Sequence, residues 1–105
     1  FDLDGEIKKY ALWRFHKHNI NPRIMREEVD PLSEEWDLIN VMDVLEHLED
    51  PSKVIAILAE KTRYIFCNPE DIKYNIFYPQ HISTFDLSPY FERLDGYLWK
   101  NKFKA

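Results

Sequence analysis

The side chains best suited to chemistry cluster in residues 43–50. Asp43, Glu46 and His47 are three and four positions apart, so in a helical segment they share one face. Carboxylates and imidazoles bind divalent ions, and together with the distant His81 they form one candidate metal set. An imidazole also titrates near neutral pH, which makes His47 and His81 candidate general bases. The segment therefore predicts a proton-transfer site, with a divalent metal site as the alternative.

A second acidic pair, Asp2 and Asp4, lies in the opening Phe1-Asp2-Leu3-Asp4-Gly5. An acid that follows a strand binds ribose hydroxyls in many nucleotide-binding sheets. The same residues resemble the opening motif of haloacid dehalogenase-type phosphohydrolases. That resemblance implies a nucleophilic Asp2, with Asp4 as general acid.

The elements that position these residues follow from hydrophobic spacing and from helix and turn signals. The pattern predicts helices over 5–18, 50–61 and 87–94, strands over 23–25, 38–42 and 64–67, and an edge strand over 97–99. Strand 38–42 is almost continuously apolar, which is typical of a parallel strand covered on both faces. Strands alternating with helices then predict an α/β fold. We expect a Rossmann-like, mostly parallel sheet with helices on both faces, N-terminally incomplete.

The longest recognisable motif is Glu35-Trp36-Asp37-Leu38-Ile39-Asn40-Val41-Met42-Asp43-Val44-Leu45-Glu46-His47-Leu48-Glu49-Asp50-Pro51. It resembles the fourth-strand signature of class I S-adenosylmethionine-dependent methyltransferases. Residues 80–85 resemble a segment that many members place after the fifth strand, over the substrate. The resemblance implies methyl transfer from S-adenosylmethionine to an acceptor, with His47 and His81 near the acceptor.

The same resemblance implies a set of cofactor contacts. Residues near the ribose, the adenine and the methionine end of the cofactor are, in chain order, Asp2, Leu3, Glu28, Val29, Met42 and Asp43. The family's first strand and its glycine-rich loop have no counterpart here, and the chain has only two glycines. We therefore expect residues 1–105 to be a single, partial methyltransferase-like domain, and S-adenosylmethionine to bind the complete protein.

Charge and composition limit the classes of partner that the chain can bind. The chain has 14 Lys and Arg against 19 Asp and Glu, a net charge of −5, which argues against binding to DNA or to an anionic membrane. The single cysteine, Cys67, and the lack of a signal-like or membrane-spanning segment predict a cytoplasmic protein. Within the resemblance, a small-molecule acceptor is the expected substrate.

Two further alternatives stay open. A divalent-metal-dependent O-methyltransferase would use Asp43, Glu46, His47 and His81. A non-catalytic methyltransferase-like interaction module would instead use the aromatic side chains of the C-terminal part as a partner surface. These side chains are Phe77, Tyr78, Phe85, Tyr90, Phe91, Tyr97, Trp99 and Phe103.

Overall fold

The structure, a computed structural model, describes residues 5–26, 28–68 and 82–104. Its contacts divide the chain into two compact units, Phe1–Ser33 and Glu34–Ala105. Each unit is described by itself below.

The first unit contains helix α1, Glu6–Lys17, in agreement with the helix predicted over 5–18. The helix ends in a Schellman motif, in which the Ile20 amide donates to the Phe15 carbonyl at 2.8 Å and the Asn19 amide to the His16 carbonyl at 3.1 Å. Asn19 has a φ of 56°, a left-handed conformation that asparagine tolerates better than most residues. Local hydrogen bonding therefore fixes this end of α1.

Among the described residues that follow α1 in the first unit, the one regular element is a short 3-10 turn. The strand predicted over 23–25 is wrong, because these residues form no ladder in the described structure. Pro31–Ser33 forms a 3-10 turn, and the Asp30 carboxylate accepts a hydrogen bond from the Leu32 amide at 2.9 Å.

The described residues of the second unit form a four-stranded sheet in the order β1-β2-β4-β3. Its strands are β1 (Trp36–Asn40), β2 (Thr62–Phe66), β3 (Phe91–Asp95) and β4 (Leu98–Asn101). Strands β1 and β2 are parallel, whereas β4 is antiparallel to both β2 and β3.

This arrangement contradicts the predicted fold class. The described chain has a small mixed sheet with one parallel pair and two helices, and it is not a mostly parallel Rossmann-like sheet with helices on both faces. The physical reason lies in the C-terminal residues. There a hairpin supplies two strands without the helical crossover that parallel pairing requires.

The parallel pair is connected by helix α2, Pro51–Lys61. The Asp50 side chain caps its start by accepting a hydrogen bond from the Lys53 amide at 3.3 Å, and proline occupies the first helical position. Ile55 and Leu58 are each 1% exposed and belong to the core. The helix predicted over 50–61 is therefore confirmed.

The helix predicted over 87–94 is wrong. Phe91–Asp95 is strand β3, which pairs with β4 across a turn at Gly96. Gly96 has a φ of 53°, a conformation that glycine adopts without a steric cost. The turn also brings the Arg93 Nε within 2.8 Å of the Gly96 carbonyl, to which it donates.

Two other strand expectations also need correction. The edge strand predicted over 97–99 is β4, which lies between β2 and β3. The apolar strand expected to be covered on both faces is β1, which ends the described sheet order and leaves Leu38 52% exposed. Apolar composition alone does not distinguish an edge strand from a central one.

Candidate functional site

The candidate site lies at the carboxyl edge of the parallel pair, where ligands bind in open parallel sheets. The Val41 amide donates to the Phe66 carbonyl at 2.9 Å, which extends the pairing one residue beyond β1. The Asn40 side chain then accepts a hydrogen bond from the Met42 amide at 2.9 Å. This bond turns the chain sharply away from the strand.

Asp43 completes that turn in a left-handed conformation, with a φ of 56°. A side chain in this region costs free energy, and such residues concentrate at functional sites. Aspartate is among the few residues that tolerate the conformation. Its carboxylate is exposed at the strand end.

A 3-10 turn, Leu45–His47, follows and carries the most unusual side chain of the site. Glu46 is only 1% exposed, and neither of its carboxylate oxygens has a hydrogen-bond partner among the described residues. The His47 imidazole lies beside this carboxylate, with its Nε2 3.8 Å from the Glu46 Oε1. The His47 side chain is 32% exposed, so the pair leads from the interior to the surface.

The backbone of this turn is held by residues that follow much later in the chain. The Glu46 carbonyl accepts hydrogen bonds from the Ile82 amide at 2.9 Å and from the Ser83 amide at 3.1 Å. The Ser83 hydroxyl also donates to the Leu48 carbonyl. We call these contacts between residues 46–48 and 82–83 the clasp.

Cys67 follows β2 at the same edge and is fully buried. Burial raises the pKa of its thiol to about 12, and the negative charge of Glu46 adds to this rise. The Trp99 indole donates to the Cys67 carbonyl at 3.2 Å. Cys67 is therefore a structural residue and an inert thiol at neutral pH.

The predicted site residues are distributed unevenly over the structure. Met42, Asp43 and His47 lie in one segment at the carboxyl edge, with Met42 half-buried. Predicted residues that lie outside the described residues are Asp2, Leu3, Asp4 and His81.

Glu28 and Val29, the predicted adenine contacts, belong to the first unit. The Glu28 carboxylate is exposed and lies 3.2 Å from the Arg26 guanidinium. The Val29 amide donates to the Arg26 carbonyl at 3.0 Å, so this segment is a turn.

The described residues contain no group of three or more metal-ligating side chains. The alternative set that joins Asp43, Glu46 and His47 to His81 includes a residue outside the described ranges, and it stays a prediction.

Sequence reasoning missed the roles of Ile82 and Ser83. The residues at 80–85 were expected near the substrate through a resemblance alone, and no spacing rule pairs them with residues 46–48. The sequence signal closest to these two residues is the presence of His81 and Ser83 within residues 80–85.

The C-terminal aromatic side chains are divided between core and surface. Phe91 and Trp99 are 1% and 8% exposed, whereas Phe103 is 74% exposed. Phe77 and Tyr78 lie outside the described residues. The buried rings are thus unavailable as a partner surface.

Two grooves of the described structure lie away from the carboxyl edge. One, of about 250 Å³, is at the start of β1 and β2 and is lined by charged residues that include Glu35, Arg63 and Lys104. The other, of about 470 Å³, lies along β4 and residues 102–104. Neither includes a predicted site residue.

Comparison with known proteins gives no match: no family, no curated protein and no solved structure is significantly similar to the chain. Within the described residues, neither helix is long and apolar enough to cross a membrane.

Proposed function

We propose that this chain carries part of the site of an S-adenosylmethionine-dependent methyltransferase that acts on a small-molecule acceptor. The observation that supports the proposal best is the clasp. It joins the two segments whose sequences resemble separate motifs of that family, residues 35–51 and 80–85. The two segments meet at the carboxyl edge of a parallel strand pair, and open parallel sheets bind ligands at that edge.

The residues at this edge suit the methionine end of the cofactor. Half-buried Met42 offers an apolar contact, and exposed Asp43 offers a carboxylate that can accept hydrogen bonds from an ammonium group. Bound S-adenosylmethionine supplies a methyl group activated on a sulfonium. Asp2, Leu3, Glu28 and Val29 remain the proposed contacts to the rest of the cofactor.

The chain's own residues are proposed to position the acceptor and move its proton. His47 is 32% exposed, and its Nε2 lies 3.8 Å from the buried Glu46 carboxylate. His47 and His81 are the proposed general bases for an acceptor hydroxyl. The Ser83 hydroxyl and the backbone amides of residues 82–83 hold the turn that carries His47.

Calorimetric titration of the complete gene product with S-adenosylhomocysteine tests this proposal. We expect binding, and we expect Asp43→Asn to weaken it by about tenfold or more, because a charge-assisted hydrogen bond is lost. Asparagine tolerates the left-handed backbone, so the substitution leaves the turn intact. The matched control is Asp37→Asn, on exposed β1, which leaves the affinity unchanged.

His47→Gln is the second variant. It should bind S-adenosylhomocysteine as the natural chain does, since His47 is assigned to the acceptor and not to the cofactor. Absence of S-adenosylhomocysteine binding by the complete gene product contradicts the methyltransferase proposal. Equal affinity for the Asp43→Asn and natural chains contradicts only the role given to Asp43.

A further inference from the structure

The net charge of −5 conceals a strongly basic segment. Residues 5–26 contain six of the 14 Lys and Arg residues but only one of the 19 Asp and Glu residues. The remainder of the chain is correspondingly acidic. Such asymmetry points to a local anionic partner that the whole-chain charge would not predict.

Part of this charge lies on one exposed face of α1. Tyr10, Trp13, Arg14 and Lys17 follow the spacing i, i+3, i+4 and i+7, so they lie along one side of the helix. Tyr10 and Trp13 are 59% and 54% exposed, and α1 has no buried residue. We call these four side chains the aromatic–cationic face.

The two rings and the ammonium group of this face are already aligned. The Tyr10 and Trp13 ring centroids are 5.8 Å apart with 27° between their planes, a stacked arrangement. The Lys17 Nζ lies 5.2 Å from the centre of the Trp13 ring, within the range of a cation–π contact. Exposed flat rings and neighbouring cations thus occupy one surface.

We propose that the aromatic–cationic face binds single-stranded nucleic acid, independently of the proposed methyl transfer. Unpaired bases stack on exposed aromatic rings, while phosphates pair with arginine and lysine side chains. Tyr10 and Trp13 provide the stacking surface, and Arg14 and Lys17 provide the cations. The two cations favour a polyanion by charge complementarity, and the two rings favour unpaired bases, which can stack on them.

The distribution of the residues disfavours two other anionic partners. A helix that lies on a membrane places its aromatic rings on the apolar face, opposite the cations, whereas here Tyr10 and Trp13 share a face with Arg14 and Lys17. Duplex DNA keeps its bases stacked inside the helix, where the two rings cannot reach their faces. Single strands are the polyanions that use both parts of this surface.

The first test is the fluorescence anisotropy of a labelled 12-nucleotide uridine oligonucleotide titrated with the full chain at low salt. We expect Trp13→Leu to weaken binding about fivefold or more, because stacking on a base is lost. Trp13→Phe retains a flat ring and should stay within about twofold of the natural chain. Tyr97→Leu removes an exposed ring elsewhere and is the control without effect.

The second test is the salt dependence of the same binding. Two phosphate contacts predict a slope of log affinity against log salt of about −1.4, and Arg14→Gln with Lys17→Gln should bring it close to zero. Lys53→Gln, on α2, is the control that leaves the slope unchanged. Lack of binding to the oligonucleotide, equal affinity for duplex DNA, or binding only to phosphatidylserine vesicles overturns the proposal.

Discussion

The burial of the Glu46 carboxylate is the feature of the site that a gain in stability explains least. This buried carboxylate has no hydrogen-bond partner among the described residues, which costs free energy, and natural proteins keep such groups mainly where function requires them. Glu46 lies beside His47 and within the clasp, so the functional requirement would concern this part of the candidate site. The same reasoning yields a prediction about stability.

Glu46→Met should raise the free energy of unfolding by about 1 kcal/mol or more, since an apolar side chain of similar length replaces a buried carboxylate that makes no hydrogen bond with the described residues. Urea denaturation at neutral pH measures the change. The exposed Glu49 is the matched control, and Glu49→Met should change the free energy by less than about 0.5 kcal/mol. A less stable Glu46→Met chain would show that the carboxylate is held by favourable contacts.

Cys67 makes the free energy of unfolding depend on pH in the alkaline range. Its folded-state pKa of about 12 lies above the ordinary thiol value of 9.0, so the folded chain disfavours the thiolate. The stability contributed by this raised pKa is complete below about pH 9 and is lost as the pH rises towards 12.

The corresponding variant is Cys67→Ala. Between about pH 9 and pH 11, the natural chain should lose up to about 1.4 kcal/mol per pH unit more than Cys67→Ala. Urea denaturation of both chains across this range isolates the contribution of the thiol, because the other titrating groups are shared. Parallel pH curves for the two chains contradict the assignment.

At the scale of elements, local signals predicted α2 well and the hairpin badly. Asp50 and Pro51 mark the helix start by chemistry within one turn, so the prediction needed no distant information. Leu87, Phe91 and Leu94 have helix-like spacing, yet residues 91–95 form β3. The Asp95-Gly96 pair was the hairpin signal, and the ladder to β4 depends on pairing that spacing does not encode.

The candidate site shows the same division. Met42, Asp43 and His47 lie close together because they occupy one continuous motif, and their functional roles stay predictions. The burial of Glu46 and the contribution of Ser83 were not identifiable from the sequence, because both depend on contacts between segments far apart in the chain. Tertiary packing, which no local pattern specifies, decides them.

Asn101 is the side chain that ties the elements of the second unit together. It is 1% exposed, its amide donates to the Ala59 and Thr62 carbonyls at 2.7 and 2.9 Å, and its oxygen accepts from the Phe103 amide at 2.8 Å. Asn101→Ala should lower the free energy of unfolding by about 2–4 kcal/mol, because one buried and two part-buried backbone groups lose their hydrogen-bond partner.

Urea denaturation measures this loss, with Asn40→Ala as the control. Asn40 is exposed and makes one side-chain bond to the Met42 amide, so its removal should cost no more than about 1 kcal/mol. Similar losses for the two variants would mean that Asn101 does not have the structural role assigned to it.

At the scale of the whole molecule, the two units should differ in local stability. Helix α1 has 12 residues and no buried side chain, and a helix of that length is marginal without packing. Strand β2 has Thr62 and Ile65 at 1% and 0% exposure and is paired on both sides. Buried, paired strands open only in larger unfolding events.

Native-state hydrogen exchange followed by NMR should therefore find faster exchange in α1 than in β2 and β4. The amides of α2 serve as an internal reference, since this helix buries Ile55 and Leu58. Equal protection in α1 and β2 contradicts the expectation.

The clasp also has a consequence for the order of folding. The Ser83 hydroxyl and the Leu48 carbonyl are 35 positions apart in the chain, so forming this contact costs loop-closure entropy. That cost is smaller once the neighbouring β1–α2–β2 contacts have formed, because they already shorten the loop. The clasp therefore belongs to the later steps of folding. Substitutions at Ser83 should speed unfolding while leaving the folding rate nearly unchanged, the kinetic behaviour of a contact absent from the transition state.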